Sequence, residues 1–202
     1  MIRVIIGSAA AAVAMFVIGF IFFGPLGLSN LATHRLEDPQ AQQVQTVLRA
    51  TIAETGTYAV PAAGKSSLQT QMYGAGPVAM IHYTAEGQIA GMDAATAVKG
   101  LIFNFIIALL IGVGLLTVDG RVRDFASRAR LAAIMGVAGA AFVDLSVPVF
   151  EHLGWGHFIY YFVADALTLA AAGVIVAWFL KVQPEAAAVG EAPAPAAEAD
   201  EL

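Results

Sequence analysis

The chain has 202 residues, 59% of them hydrophobic and only 12% charged, with no cysteine and a formal net charge of -5 at pH 7. That balance excludes an ordinary water-soluble domain and points to a membrane protein. The missing cysteines exclude disulfides, thiolate metal sites and cysteine nucleophiles, and no cofactor and no nucleic-acid partner are expected.

Residues 2–24 form the first of four apolar runs, with 100–118, 131–153 and 157–180, each long enough for a hydrocarbon core that needs roughly 20 helical residues. No run carries the period-two pattern of a spanning strand, so helices are the expected solution. The first run opens on Met1, Ile2 and Arg3, as a secretory signal does. Its apolar stretch continues past Phe16, Phe20, Phe22 and Phe23 without a small-x-small cleavage pattern, and it reads as a retained anchor over 1–24.

Residues 25–98 are patterned too strongly for a linker. Asp38 is placed to cap a helix with Pro39 at its first position, Val44, Val47, Leu48, Thr51 and Ile52 on one face, and Gly56 as the stop. Residues 57–60 read as a strand ended by Pro61, AAGKSS as a loop, and 78–84 as a second strand. The latter turns at Ala85-Glu86-Gly87 into a third strand near 88–92. Asp93 can cap the helix that becomes the second span. The expectation is a small α+β cap whose apolar helix stripe must bury against the strands or the membrane surface. Gly64-Lys65-Ser66 resembles the end of a phosphate-binding loop, but its first glycine and its strand-to-helix context are missing.

Residues 99–181 contain the remaining three spans. Arg121, Arg123, Arg128 and Arg130 crowd the connection between the second and third, whereas HLGWGH between the third and fourth has no Lys or Arg. The Arg-rich connection is therefore expected in the cytoplasm, with both termini, and 25–98 outside. The same four arginines are candidates for anionic lipid head groups. Small residues repeat every four positions at Gly7 and Ala11, at Ala108 and Gly112, and at Ala132, Gly136 and Ala140. These faces are expected to meet, with Asn104 as an amide on the second of them. The tail, 182–202, is Ala, Pro and Glu without aromatic residues and is expected to be disordered.

The order of GFIFFGPLGLSNL, LRATIAETGTYAVP, GPVAMIHYTAEG and DLSVPVFEHLGWGHF resembles a family of bacterial four-span inner-membrane proteins of unknown function. The resemblance covers most of residues 1–180. It implies an inner-membrane location, an aspartate in the third span and aromatic residues at the following outer turn, here Trp155 and Phe158. It implies no activity.

Two carboxylates stand inside these apolar runs. Asp144 lies ten residues before Gly154 and Asp165 ten after Trp155. At about 1.5 Å per residue this puts both near mid-membrane in a core of roughly 30 Å. On regular helices Asp144, Pro148 and Glu151 share one face, and His157, Tyr161, Asp165 and Thr168 another. Facing each other, they would form a polar column. A charged aspartate at mid-bilayer costs about 2.5 to 3.5 kcal/mol, so the pair must be protonated, partnered or hydrated. One reading is a proton- or cation-responsive site with Glu151, His152 and His157 at its mouth. The other is helix glue, each carboxyl bonding a hydroxyl such as that of Thr168 or Tyr161. Pro148 removes a backbone hydrogen bond beside this column. A metal site built from Glu151, His152 and His157 is the weaker alternative, because their spacing is not diagnostic.

The fold class expected is an all-α membrane protein, a four-helix transmembrane bundle with a small α+β extracytoplasmic cap. The leading functional expectation is an accessory or structural protein of the lipid bilayer, as a homo-oligomer or a subunit of a larger membrane complex. The alternative is a proton- or cation-responsive transporter or sensor that uses Asp144 and Asp165. No serine elbow or metalloprotease signature points to an enzyme.

Overall fold

The computed structural model describes residues 1–24, 28–88 and 93–180. The third strand expected near 88–92 falls almost wholly outside them, as does the tail at 182–202. The described chain divides into two compact units, 1–32 with the residues from 94 onward, and 33–93.

The larger unit holds four helices long and apolar enough to cross a membrane. They are α1 (Ile2–Phe23), α4 (Ala94–Thr117), the composite helix Phe125–Glu151, and α7 (Trp155–Phe179). The composite helix consists of α5 (Phe125–Ala140), a π-helical turn (Ala141–Leu145) and α6 (Ser146–Glu151). Two helices start earlier than the apolar runs, at Ala94 and Phe125, the added turns carrying Thr96 and Lys99 in one and Ser127, Arg128 and Arg130 in the other. Asp124 begins α5 by accepting the Ser127 N–H at 2.8 Å.

Helix α7 is the hub, packing along α5 and the π turn on one side and α1 on another, while α4 packs mainly on α1 and touches α5 only sparsely. The contacts are made by small residues. A Cβ on Gly112 would lie 2.6 Å from Val4 Cγ1, one on Gly7 2.9 Å from Phe179 Cβ, and one on Gly173 2.6 Å from Ala132 Cβ. Helix axes approach closely only where no side chain intervenes. The small-residue faces of the first and third spans thus do not meet each other: Gly7 meets α7, and so does Gly136, at Leu169. Ala11, Ala108, Ala172, Val176 and Ala177 fill the core, while Phe142 and Phe150 are 78% and 79% exposed. Small residues inside and large apolar ones outside is the reverse of a fold built for water.

The smaller unit contains α2 (Asp38–Thr51), β1 (Gly56–Val60), α3 (Ser67–Ala75) and β2 (Ala79–Tyr83). The strands pair antiparallel with Tyr58 opposite Ile81, and Thr57 Oγ1 lies 3.0 Å from His82 Nδ1. Two expectations are corrected here, and one element is new. The N-cap of α2 is Glu37, not Asp38: a capping box joins Glu37 to Gln40, whose Oε1 accepts the Glu37 N–H at 3.4 Å, and Asp38 and Pro39 lie within the first turn. The helix ends at Thr51, before Gly56, with Ile52 as C-cap in extended backbone. Beyond AAGKSS lies a helix that hydropathy does not reveal. Ser66 caps α3 by accepting the Gln69 N–H at 3.1 Å, and the Gln69 side chain then accepts the Ala62 N–H at 2.9 Å. Within this unit the strands do not cover the α2 stripe: Val44 and Val47 are exposed, and Ile52, just past the helix, is buried.

Candidate functional site

Pro148 shapes the third long helix. It has no N–H to offer the Asp144 carbonyl one turn earlier, and in a regular helix its ring collides with that carbonyl. The preceding turn, Ala141–Leu145, opens into π geometry, and the Ser146 hydroxyl donates to the Val143 carbonyl at 3.4 Å. Asp144 lies within this opened turn.

The turn packs on α7. Asp144 is 7% exposed, and its Oδ2 is buried without a hydrogen-bond partner. Asp165 is half-buried on α7, the helix on which this turn packs. Two acids thus stand on elements that pack against each other. The Thr168 hydroxyl does not serve them, because it donates to the Ala164 carbonyl of its own helix at 2.7 Å.

The start of α7 is tied to the end of α1 by aromatic rings. Tyr161 packs on His157 at 4.5 Å and on Phe23 at 4.9 Å between ring centroids. Tyr160 packs on Phe22 and Phe23 at 5.7 and 5.9 Å and donates its hydroxyl to the Phe22 carbonyl at 2.6 Å. Tyr160 carries no distinguishing motif in the sequence. Its only signal was its place beside Tyr161 near a helix end, where amphipathic rings are common.

Asp144 and Pro148 are buried, but Glu151 does not continue their face inward. It is exposed at the last position of α6, and His152 turns the chain away in left-handed backbone at φ 56°. Among the described residues no three His, Asp or Glu side chains converge as a metal-ligand set. Glu151, His152 and His157 are thus not assembled as ligands: Glu151 and His152 point to the surface, and His157 stacks on Tyr161.

The four arginines separate into two groups. Arg121, Arg123 and Arg130 are exposed, whereas Arg128 is 1% exposed. Arg128 donates from Nε to the Val122 carbonyl at 2.7 Å, from Nη1 to the Leu180 carbonyl at 2.6 Å, and from Nη2 to the Asp119 carboxylate. Its assignment to a lipid head group is corrected. The end of α7 leaves carbonyls unsatisfied at its negative pole, and one guanidinium supplies enough donors to hold both that end and the 118–124 connection. Asp124 is charged and capping: hydrogen bonds from the Ser127 N–H and hydroxyl hold its carboxyl below the usual range.

Together these features define a bundle of four membrane-length helices with a buried, incompletely bonded carboxylate on a turn packed against the helix that carries a second one. No family model, curated protein or solved structure matches the chain.

Proposed function

We propose that this is a multi-pass protein of the bacterial inner membrane, with both termini cytoplasmic, in which Asp144 and Asp165 share a proton or a cation within the bilayer. The bundle then responds to proton or cation activity as a sensor or accessory subunit. The observation that carries this reading is the buried Asp144 Oδ2 without a hydrogen-bond partner, in a π turn packed on the helix that bears Asp165. In a purely structural role each carboxyl would be bonded to a neighbour. Here one of the two expected donors, Thr168, is engaged on its own helix. Apolar side chains facing outward support the lipid setting, and the arginines of the 118–124 connection support its cytoplasmic side. Four spans without an internal repeat favour a sensor or subunit over a carrier acting alone.

The test is infrared spectroscopy of the full chain in lipid vesicles across a pH titration, on wild type, Asp144→Asn, Asp165→Asn and the double variant. A shared site predicts a protonated-carboxyl band at neutral pH that either single change alters by more than its own share. Two independent bands that disappear additively would reduce the pair to separate packing residues.

A further inference from the structure

The sparse contact between α4 and α5 leaves a cleft of about 500 Å³, within the range of roughly 300–1,000 Å³ typical of small-molecule sites. Ile111, Gly114 and Leu115 form one wall, Ala132 and Met135 the other, and Leu169 of α7 the floor. The lining is almost wholly apolar. Gly114 leaves open space at its Cβ position, with nothing within 4 Å. The walls are consecutive helices, so the connection 118–124 must cross one end of the cleft. It contains Asp119, Arg121, Arg123 and Asp124. Both acids are engaged, Asp119 by Arg128 and Asp124 by the Ser127 N–H. Arg121 and Arg123 are exposed and outnumber the ionised Asp124, so the net charge at this end of the cleft is positive.

We infer that the α4–α5 cleft is a site for an anionic phospholipid, one acyl chain lying against Gly114 and Leu169 and the phosphate resting on Arg121 and Arg123. An apolar slot ending at cationic side chains matches an acidic amphiphile in both halves. It does not match a zwitterionic lipid, whose head group carries no net charge to pair. The inference is separate from the carboxylate pair and shares with it only the membrane location.

The full chain, purified in a mild detergent, is titrated with phosphatidylglycerol or phosphatidylcholine of the same acyl chains, and retained lipid is counted by native mass spectrometry. Wild type should retain phosphatidylglycerol roughly tenfold more strongly than phosphatidylcholine. Arg121→Gln with Arg123→Gln should abolish that preference. Gly114→Phe, which fills the slot, should reduce retention of both lipids, whereas Gly19→Phe on α1, also at an open position, should change neither. Equal retention of the two lipids by wild type, or an unaltered preference in the arginine variant, would overturn the proposal. So would a wild-type dimer, seen by cross-linking, that Gly114→Phe disperses, because a second copy would then fill the cleft. The arginine variant alters only exposed side chains, so its result decides the matter even where Gly114→Phe fails to fold.

Discussion

Arg128 donates to the carbonyl oxygen of Leu180, 52 residues further along the chain, and so fastens the end of α7 to the start of α5. The same guanidinium holds Asp119, which is 51% exposed. The two partners should therefore respond unequally to mutation. Arg128→Met strands a helix-end carbonyl and empties a buried site, and should cost on the order of 3 kcal/mol. Asp119→Asn should cost less than about 1 kcal/mol, since its carboxylate is already hydrated. Thermal unfolding of the detergent-solubilised protein measures both. Equal losses would mean that the ion pair, and not the capping of α7, is what Arg128 provides.

Asp124 gives the clearest pH dependence outside the long helices. Its carboxyl is held below the usual range by the hydrogen bonds from Ser127, so the folded protein binds this proton less readily than the unfolded chain. The stabilisation is fully present above the ordinary carboxylate value of about 3.9 and is lost as pH falls through the lower folded value. Asp124→Asn keeps a capping oxygen without the charge. Melting temperatures compared between neutral and strongly acidic pH should show a smaller acid-induced drop in the variant than in wild type. An unchanged drop would place the acid sensitivity elsewhere.

Close helix approach predicts a contrast between two glycines. At Gly173 a Cβ would meet Ala132 Cβ at 2.6 Å, and at Gly139 it would meet nothing within 4 Å. Gly173→Ala should force α5 and α7 apart and cost about 1 to 3 kcal/mol. Gly139→Ala should be neutral or slightly stabilising. Denaturation in mixed micelles distinguishes them, and similar behaviour would contradict the observed α5–α7 packing.

The capping box of α2 supplies a fourth prediction. Glu37→Ala should weaken this helix by about 1 kcal/mol, and Asp38→Ala by less, because Asp38 only complements the helix dipole from the first turn. Protease sensitivity of residues 38–51 reports the difference. Greater damage from Asp38→Ala would restore that residue as the cap.

The strands at 56–60 and 79–83 were legible because Pro, Gly and apolar alternation bound them. Helix α3 was not legible because its sequence, SLQTQMYGA, is short and mostly polar, and the few apolar residues on one face, Leu68, Met72 and Ala75, stay exposed. Its signal was nonetheless present in Ser66 with Gln69 three residues on, a capping-box spacing. The choice between Glu37 and Asp38 was not legible, since adjacent acids differ only in which backbone adopts the extended cap conformation.

What the sequence by itself determined is the set of four long helices. In hydrocarbon a run of apolar residues must satisfy every backbone N–H and C=O internally, so length and composition leave one solution. The two aspartates within the apolar runs were equally plain, because a carboxylate is conspicuous in such a run. Only the tertiary structure decided that α7 is the hub, that α4 and α5 stand apart over a cleft, and that Asp144 occupies a π turn with one oxygen unbonded. It also distinguished Arg128 from three arginines of identical chemistry. The physical reason is that side-chain direction and helix pairing depend on contacts between segments far apart in the chain. The Leu180 carbonyl becomes the partner of Arg128 only once α5 and α7 lie side by side.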